Sequence, residues 1–368
     1  MNNTQWILLS CAEQSGDMYA SYIIKAIQSL KITTPIKGLG GPLAKQAGMT
    51  PIIDYVPQGI MGITEVLKQW RVLKKVQSDL MKALENMPKA VILIDSSSLH
   101  LPIAKKAKSL GIPVIYFIPP KIWAWGRWRA KKLNAFCDQL ICLYQFETKF
   151  LNQMNLPAVT VKHPLLDTIS PSSDYEANTI AICPGSRAQE ITGCLPHILK
   201  AAQIIQDQRE HVKFSIMIAR PAVKALIESY LVQYPHLNCE LISKNRYAHL
   251  RRSHFAIAVS GTMTLELAFS ITPMIIVYRC SKITAFILKR LVRIPYVGLP
   301  NLIANRCIVP ELIQEQCTSD QIVTQALRYL DHPNYTQSVM RQLEIVRKIC
   351  QNKNTLTFND IIKDTLIS

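Results

Sequence analysis

Short apolar segments alternate with stretches of helical periodicity along the chain, and they do so in two successive series. In the first half the apolar segments are residues 6–10, 90–94, 113–118 and 139–144. In the second half they are residues 179–183, 213–219, 239–243, 255–260 and 274–278. Strands that are apolar throughout and separated by helices form parallel sheets with both faces covered. The sequence therefore predicts an α/β protein with two doubly wound, Rossmann-like domains.

Length and composition predict the boundary between these domains. A chain of 368 residues is too long for one ordinary core. Residues 163–178 are rich in Pro, Ser and Asp, which is typical of a linker. We therefore predict a first domain at 1–170 and a second at 178–335. Residues 336–368 have a helical pattern without a strand partner, so they are expected to cap the second domain or to cross back to the first.

The net charge of +17 narrows the class of ligand. Such a surface attracts polyanions, among them nucleic acids, anionic lipids and phosphorylated substrates. The ten cysteines show no CxxC pair and no metal-ligand spacing, which indicates buried thiols in a reducing compartment. The sequence shows no secretory leader and no stretch long enough to span a bilayer, so a cytoplasmic protein is expected.

The loops that follow strands hold the candidate binding residues, because open parallel sheets bind ligands beyond the carboxyl ends of their strands. Two such domains facing each other are expected to form a cleft. One of these loops, PGSR, follows the strand at 179–183 and precedes a helix. Gly185 permits close approach of the backbone, Ser186 can donate a hydrogen bond, and Arg187 can bind two phosphate oxygens. The alternative is an ordinary capped helix with a surface arginine.

A second corner of the same kind contains Ser260, Gly261 and Thr262. Glu266 lies one helical turn further along, on the face that it shares with Thr262. A carboxylate beside a phosphate-binding corner suits the two hydroxyl groups of a ribose, although a helix-capping glutamate is the alternative. Two anion-binding corners and one carboxylate together predict a site for a nucleoside diphosphate.

A long loop at 296–315 supplies two further polar candidates, Asn301 and Glu311. Long ordered loops are commonly functional. Glu311 follows Pro310, and this pair fits the first turn of a short helix. A plain helix start is the alternative interpretation of Glu311.

Three carboxylates follow strands in the first half of the chain. Glu13 and Asp17 lie at the start of the first helix, where they are candidates for handling an acceptor sugar or its proton. Compensation of the helix dipole is the alternative for Asp17. Asp95 comes directly after the apolar strand at 90–94, and a carboxylate at such a position is a candidate general base. Capping of the following helix is the alternative for Asp95.

Two segments combine tryptophan with basic residues. Residues 118–132 contain three tryptophans among five cations, a composition found at nucleic-acid surfaces and at membrane interfaces. No RNA-recognition, zinc-finger or helix-turn-helix pattern supports binding of nucleic acid. Residues 60–76 have the spacing of a basic amphipathic helix, which favours contact with a membrane surface. A helix that buries its apolar face in its own domain is the alternative.

Taken together, these segments resemble the lipid-A-disaccharide synthase family, whose members are glycosyltransferases of GT-B architecture. The resemblance extends over nearly the whole chain and rests on motifs at residues 12–17, 38–49, 61–67, 93–95, 119–132, 184–191, 260–266 and 295–314. Each motif alone is weak evidence, but their combination in this order is specific.

The resemblance implies a reaction. UDP-2,3-diacylglucosamine would donate its sugar to the 6-hydroxyl of 2,3-diacylglucosamine 1-phosphate (lipid X), with inversion and release of UDP, in lipid A biosynthesis. It implies Asp95 as the base and Arg187 beside the UDP phosphates. Glu266, Asn301 and Glu311 fall in the part of the family that holds uridine and ribose. No metal and no cofactor are implied, and the acyl chains imply peripheral association with the inner leaflet of the inner membrane.

The sequence departs from the family pattern mainly on the acceptor side. Ala12 replaces the usual glycine before Glu13, and Ser96 to His100 replace Ala-Pro-Asp-Phe-Asn, so a second acidic residue is absent at Ser98. The favoured hypothesis is lipid A disaccharide synthesis. The others are a different GT-B enzyme, either a UDP-GlcNAc 2-epimerase or a transferase to another lipid, and a non-catalytic UDP-sugar-binding membrane protein. A homodimer is compatible with each hypothesis.

Overall fold

The computed structural model describes residues 5–53, 63–172, 175–281, 284–286, 290, 294–351 and 358–361. At Gln14 and at residues 63–70 it describes the backbone alone. The described chain divides into two compact units. The first contains the residues up to Pro164 and the helical residues 358–361, and the second contains Leu165–Gln351.

The first unit is a parallel sheet of seven strands covered by helices. Its strands are β1 Ile7–Cys11, β2 Ile36–Leu39, β3 Thr50–Pro51, β4 Ala90–Ile94, β5 Val114–Phe117, β6 Gln139–Cys142 and β7 Ala158–Thr160. Its helices are α1 Gln14–Ser29, α2 Pro42–Gln46, α3 Ile63–Ala83, α4 Ser97–Ser109, α5 Ala130–Phe136 and α6 Gln145–Asn152. The strand order is β3-β2-β1-β4-β5-β6-β7. Every residue of the central strands β1 and β4 is buried, as covering on both faces requires.

The second unit is built in the same way around six parallel strands. Its strands are β8 Glu176–Cys183, β9 Lys213–Met217, β10 Cys239–Ile242, β11 Ser253–Val259, β12 Met274–Tyr278 and β13 Glu311–Ile313. Its helices are α7 Leu165–Thr168, α8 Ala188–Gln208, α9 Lys224–Leu231, α10 Arg246–Arg252, α11 Thr262–Phe269, α12 Leu299–Ala304, α13 Ser319–Asp331 and α14 Pro333–Gln351. The strand order is β10-β9-β8-β11-β12-β13. The predicted fold class, two Rossmann-like α/β domains, is confirmed.

The limits of the two units differ from the predicted limits of 170 and 335, and a buried arginine gives the reason. Arg347, on α14, donates hydrogen bonds from Nη1 to the carbonyl oxygens of Ile169 and Phe269. This contact holds the segment after α7 and the helix α14 in the same core. The second unit therefore begins at Leu165 and continues to Gln351.

The C-terminal residues 358–361 pack in the first unit. The ring of Phe358 lies edge-on to Phe117, with centroids 5.4 Å apart, and to Tyr22, with centroids 6.3 Å apart. Asn359 lies within hydrogen-bonding distance of Ser29, at 3.3 Å. The side chain of Phe358 is buried, so the chain returns to the first core after completing the second.

The sequence patterns identified the central strands and the edge strand β10, and they missed four short strands. The strands β2, β3, β7 and β13 have four residues or fewer, and none presents a long apolar segment. One specific expectation was wrong. Glu311 was predicted in the first turn of a helix, but it is the first residue of β13 and pairs in parallel register with Ile276 of β12.

Candidate functional site

Each sheet has one point at which the strand order reverses. In the first unit it lies between β1 and β4, and in the second between β8 and β11. Loops after two such strands diverge and open a crevice at the carboxyl edge of the sheet, which is where ligands bind in this kind of fold. The four loops concerned begin at residues 12, 95, 184 and 260. All four hold candidates that were predicted from the sequence.

Asp95 lies on a strained turn between β4 and α4. Its φ angle is 53° and that of Ser96 is 44°, so two consecutive residues with side chains adopt the left-handed conformation. Each such residue costs roughly 1–2 kcal/mol. Strain of this size persists only where the surroundings fix the backbone, and it is concentrated at functional sites. The Asp95 side chain is half-buried, and its Oδ1 accepts a hydrogen bond of 2.8 Å from the backbone N–H of Ser96.

A buried hydrogen-bond network holds this turn in place. The carbonyl oxygen of Asp95 accepts from the Tyr116 hydroxyl at 2.6 Å and from Nδ1 of His100 at 2.7 Å. Because a carbonyl can only accept, Nδ1 of His100 carries the proton. Its Nε2 is then the acceptor for the hydroxyl of Ser10, 2.9 Å away on β1. Burial lowers the pKa of His100 to about 4, so the ring is neutral at pH 7.

The helix α3 adds a contact to the same region. Gln77 is buried, and its Nε2 donates 2.9 Å to the carbonyl oxygen of Leu99 in the first turn of α4. The sequence analysis treated none of Ser10, Gln77 and His100 as functional. Only the position of His100, five residues after Asp95, was available as a signal.

Asp17 is a structural carboxylate. It is buried, and Oδ1 accepts from the backbone N–H groups of Gly41 and Ala44 while Oδ2 accepts from that of Leu43, each at 2.9 Å. These are the free amides at the start of α2, which carry partial positive charge. Asp17 therefore compensates the dipole of a helix, as the alternative interpretation proposed. The helix is α2, however, and not α1, to which Asp17 itself belongs. The geometry does not support the predicted catalytic role.

Glu13 remains at the position expected of it, after β1 and at the first crevice. It precedes the first turn of α1, its backbone is extended, and its side chain is exposed. Its carbonyl oxygen accepts from the backbone N–H of Asp17 at 3.0 Å.

The structure adds a buried carboxyl to this edge that the sequence analysis missed. Glu147, in the first turn of α6, is buried, and its Oε1 accepts a 2.9 Å hydrogen bond from Nε1 of Trp123. Burial raises the pKa of Glu147 to about 7; Lys121 and Trp123 oppose the rise and Asp95 adds to it. Glu147 follows β6 directly, which is the signal that could have revealed it.

In the second unit, the predicted phosphate corner after β8 already holds a carboxylate. Oε2 of Glu190 accepts from the backbone N–H groups of Ser186 at 3.1 Å and Arg187 at 3.3 Å. Oε1 lies 3.2 Å from Nη1 of Arg187, whose side chain is otherwise well exposed. Gly185 has a φ of 102°, and a Cβ there would lie 2.7 Å from Oε2 of Glu190. In this structure the anion bound by these amides is the protein's own carboxylate, and binding of a phosphate there stays a prediction.

The corner after β11 has a different geometry. Gly261 is exposed and extended, with φ of 161°, and a Cβ built on it would meet no atom of the described residues within 4 Å. No contact with this part of the chain therefore requires glycine at the position. Ser260 lies beside it with its Oγ 3.3 Å from the carbonyl oxygen of Val297, and Thr262 begins α11. A glycine facing open space is what close approach of a ligand requires.

Glu266 is buried below this corner and is paired with a cation. Its Oε2 lies 3.1 Å from Nη2 of Arg246, the first residue of α10. Burial raises the pKa of Glu266, against the effect of Arg246 and of a hydrogen bond from Tyr247. The sequence analysis found Glu266 but missed these partners. They follow β10 directly, so they also lie at the carboxyl edge of the sheet.

Asn301 and Glu311 bind the protein itself. The Asn301 side chain is fully buried. Its Nδ2 donates to the Val309 carbonyl at 2.9 Å and to Oε1 of Glu311 at 2.8 Å. Its Oδ1 accepts from the backbone N–H groups of Ile308 and Val309. Glu311 also accepts from the backbone N–H groups of Val297 and Gly298, at the start of α12. Asn301 has no surface left for a ligand. Both residues fix the loop beside Ser260, and direct ligand contact by Asn301 is not supported.

The structure describes only part of the predicted membrane-contact segment, residues 60–76. Residues 60–62 lie outside the described residues, and 63–70 are described by backbone alone, as part of α3. Beyond them, Val72 is exposed and Val76 is buried. Within the described part of the chain, no helix combines the length and the apolar character needed to cross a membrane. Among the same residues, no cluster of three or more His, Cys, Asp or Glu is arranged to hold a metal ion.

Comparison with solved structures defines the class of fold. The chain resembles the calicheamicin glycosyltransferase CalG4 with a TM-score of 0.63 at 12% sequence identity, covering 100% of this chain and 99% of that chain. It resembles a UDP-GlcNAc 2-epimerase from Neisseria meningitidis, solved with bound UDP-GlcNAc, with the same TM-score and identity and 99% coverage of both chains. At this identity the likeness shows the fold alone, which is the GT-B fold.

Sequence comparison identifies the family within that fold. Residues 7–359 match the lipid-A-disaccharide synthetase family. The lipid-A-disaccharide synthase of Geobacter metallireducens is 32% identical over 359 residues, which cover 93% of this chain and 92% of that protein. The chain belongs to the lipid-A-disaccharide synthetase family, so the resemblance recognised in the sequence is confirmed. The epimerase hypothesis has no support beyond the shared fold.

Proposed function

We propose that this protein transfers 2,3-diacylglucosamine from UDP-2,3-diacylglucosamine to the 6-hydroxyl of 2,3-diacylglucosamine 1-phosphate, with release of UDP. The observation that carries the proposal is family membership over residues 7–359. The bond between the donor's anomeric carbon and the UDP oxygen breaks, and a bond from the acceptor oxygen to that carbon forms. A single displacement converts the α-linked donor into a β-linked disaccharide.

Asp95 is proposed as the general base of this reaction. A base must take the proton from the acceptor hydroxyl as the new bond forms. The half-buried position of Asp95, at the carboxyl end of a central strand, supports this role. So does the strained backbone, because Tyr116 and His100 hold the carbonyl oxygen of Asp95 and the N–H of Ser96 binds its carboxylate. Glu13, exposed at the neighbouring loop, is proposed to contact the acceptor sugar.

The UDP group is proposed to bind at the switch point of the second unit. The open space before Gly261 supports close approach of the diphosphate there. Arg187, exposed and beside two backbone amides, supplies the positive charge that the leaving diphosphate requires. Glu190 then competes with the diphosphate for the amides of Ser186 and Arg187 and leaves them when UDP binds.

Glu266 is proposed to bind the ribose hydroxyls through the face not occupied by Arg246. Asn301 and Glu311 are proposed as positioning residues that hold the loop around the nucleotide. The mechanism uses no metal and no cofactor, since the guanidinium of Arg187 and backbone N–H groups stabilise the charge. Both substrates carry acyl chains, so we propose peripheral association of a cytoplasmic protein with the inner membrane, with residues 60–76 as one contact. Formation of a homodimer stays a prediction.

The test is incubation of the purified full-length protein with both diacylated substrates, followed by mass analysis. The expected product is the tetraacyl disaccharide 1-phosphate, formed in equal amount with UDP. Conversion of UDP-GlcNAc to its 2-epimer would instead support the epimerase. UDP binding without turnover of either substrate would support the non-catalytic alternative, which the missing acid at Ser98 keeps open.

A further inference from the structure

The connection between β5 and α5 exposes two tryptophan side chains that the proposed reaction does not use. Trp125 is 42% exposed and Trp128 is 62% exposed. Five cations lie in this connection and in the first turn of α5, and we call this segment, residues 121–132, the Trp–cation turn: Lys121, Arg127, Arg129, Lys131 and Lys132. No acidic residue occurs between Lys121 and Phe136. Large apolar side chains gathered at a surface mark a binding site for a partner.

The indole rings are held among the cations by contacts within the turn. The guanidinium of Arg129 lies 4.0 Å from the centroid of the Trp125 ring and 5.2 Å from that of Trp128. The ammonium of Lys132 lies 5.2 Å from the Trp128 ring. Cation–π attraction of this kind fixes rings and charges relative to one another. The binding surface is therefore formed before a partner arrives.

Both ends of the turn are anchored in the core of the first unit. Ile122 is fully buried just before the tryptophans, and Leu133 is fully buried just after the last cation. Arg127 is also held, with its guanidinium 5.3 Å from the Phe150 ring of α6. The turn consequently presents its rings and cations from a rigid base.

The chemistry of the turn fits one partner best, the headgroup layer of an anionic bilayer. Indole rings prefer the boundary between acyl chains and headgroups, and lysine and arginine pair with lipid phosphates there. Proteins that bind single-stranded nucleic acid need open ring faces on which bases stack. Here Arg129 lies over both rings, and Lys132 lies over Trp128. These cations compete with bases for the ring faces, which favours insertion over stacking.

We propose that the Trp–cation turn binds the surface of an anionic phospholipid bilayer. This inference rests on the proposed function, which supplies the reason for the protein to contact a membrane. It adds the surface that makes this contact. Rings and charges act together, because a single weak anchor gives only marginal membrane binding. Removal of either component should therefore weaken binding to anionic vesicles.

The experiment is co-sedimentation of the full-length protein with vesicles of phosphatidylcholine and phosphatidylglycerol in equal parts, without sugar substrates. Trp125→Ala with Trp128→Ala should weaken binding at least tenfold, and Lys131→Gln with Lys132→Gln should weaken it about as much. Two control variants remove equivalent groups elsewhere. Val232→Ala truncates an exposed apolar side chain of the second unit, and Lys200→Gln with Lys213→Gln removes two exposed charges. Neither control should change binding more than twofold.

Three outcomes would overturn the proposal. One is equal binding of the parent and the tryptophan variant to anionic vesicles. Another is equal binding of the parent to vesicles of phosphatidylcholine alone, since the cations would then contribute nothing. The third is binding of single-stranded RNA at concentrations where vesicles are not bound, with loss of that binding in the tryptophan variant.

Turnover in detergent micelles separates this proposal from the proposed function. With both substrates dispersed in a neutral detergent, the tryptophan variant should form product at the rate of the parent. A parent protein that binds vesicles through the turn but forms no disaccharide contradicts the proposed function and leaves the membrane contact standing. A tryptophan variant that binds vesicles normally while the parent forms disaccharide contradicts the membrane contact alone.

Discussion

The two units share a strand order and differ in the chemistry of their switch points. With the strands of each unit numbered along the chain, both sheets have the order 3-2-1-4-5-6, and the first sheet adds a seventh strand after these six. The loops at the first switch point carry the carboxylates Glu13 and Asp95. Those at the second carry Arg187, Gly261 and the hydroxyl side chains of Ser186, Ser260 and Thr262. One topology therefore presents carboxylates at one switch point and a cation with hydroxyl groups at the other, which suits the proposed base and the proposed phosphate site.

The two switch points also differ in what holds them. At Asp95, side chains from α4 and β5 fix a strained backbone through its carbonyl oxygen, and Ser10 of β1 holds the α4 side chain, His100. At Ser186 and Arg187, a carboxylate fills the helix N-terminus. The proposed base would need a fixed direction, which a rigidly held backbone provides. The proposed phosphate site would need access to its ligand, and the Glu190 carboxylate that now occupies it is partly exposed. The predictions below test this contrast from the largest expected effect to the smallest.

Replacement of Asp95 with Asn should separate proton transfer from nucleotide binding. We expect the turnover number to fall about a thousandfold, since general base catalysis contributes roughly 10²–10⁴-fold. The affinity for UDP, measured by calorimetry, should remain within about twofold of the parent because that site lies in the other unit. Asp320→Asn, which neutralises an exposed carboxylate on α13, is the control. If Asp95→Asn turned over substrate at the rate of the parent protein, Asp95 would not be the general base.

Replacement of Asp17 with Ala should destabilise the protein. Three backbone N–H groups at the start of α2 would lose their acceptor, and the free energy of unfolding should fall by about 3 kcal/mol. Urea unfolding at pH 7 measures this loss. Asp17→Asn keeps an acceptor oxygen and should lose about half as much. Loss of turnover with an unchanged free energy of unfolding would instead support a catalytic role for Asp17.

Replacement of Glu147 with Gln should remove a pH dependence of stability. The folded-state pKa of Glu147 is about 7 and the ordinary value is 4.5, so between these pH values the folded protein binds more protons than the unfolded chain. Stability from this group is complete below pH 4.5 and is lost as the pH rises through 7, by about 3 kcal/mol. The glutamine variant keeps an acceptor for Trp123 and should lack this decline between pH 5 and 8. An identical decline in both proteins would contradict the assignment.

Replacement of Arg187 with Ala should weaken UDP binding with little effect on folding. A charge-assisted hydrogen bond contributes about 1.5–3 kcal/mol, so the dissociation constant should rise about 10- to 100-fold. The Arg187 side chain is 69% exposed, and its ion pair with Glu190 contributes little to stability. Arg209→Ala, which removes an exposed arginine paired with Asp331, is the matched control. Unchanged UDP affinity would exclude Arg187 from the site.

Two glycine substitutions should have opposite effects within the second unit. Gly261→Ala adds a methyl group in open space, so the free energy of unfolding should change by less than about 0.5 kcal/mol. If the diphosphate approaches this backbone, UDP affinity should fall about tenfold, which is about 1.4 kcal/mol. Gly185→Ala should instead cost about 1 kcal/mol or more in stability, because of its positive φ and its contact with Glu190. Unaltered UDP affinity in Gly261→Ala would place the diphosphate elsewhere.

The sequence predicted the functional edge of each sheet better than the role of each residue on it. Asp95, Arg187 and Gly261 lie where the patterns indicated, because each follows an apolar strand that could be recognised. Asn301 was found as well, but its role differs from the one expected. A polar residue in a loop and a polar residue that holds the loop have the same sequence signature, and only its contacts distinguish them.

What the sequence by itself determined is the alternation of strands and helices, the family, and the loops that contain the chemistry. Continuous apolar segments can be buried only in covered parallel sheets, and this requirement can be derived from residue order alone. The tertiary structure decided which groups meet. Ser10 and His100 are 90 residues apart, and Asp17 lies 24 to 27 residues from the amides it binds. Such partners are set by which elements become neighbours across a sheet, and spacing along the chain does not encode that choice.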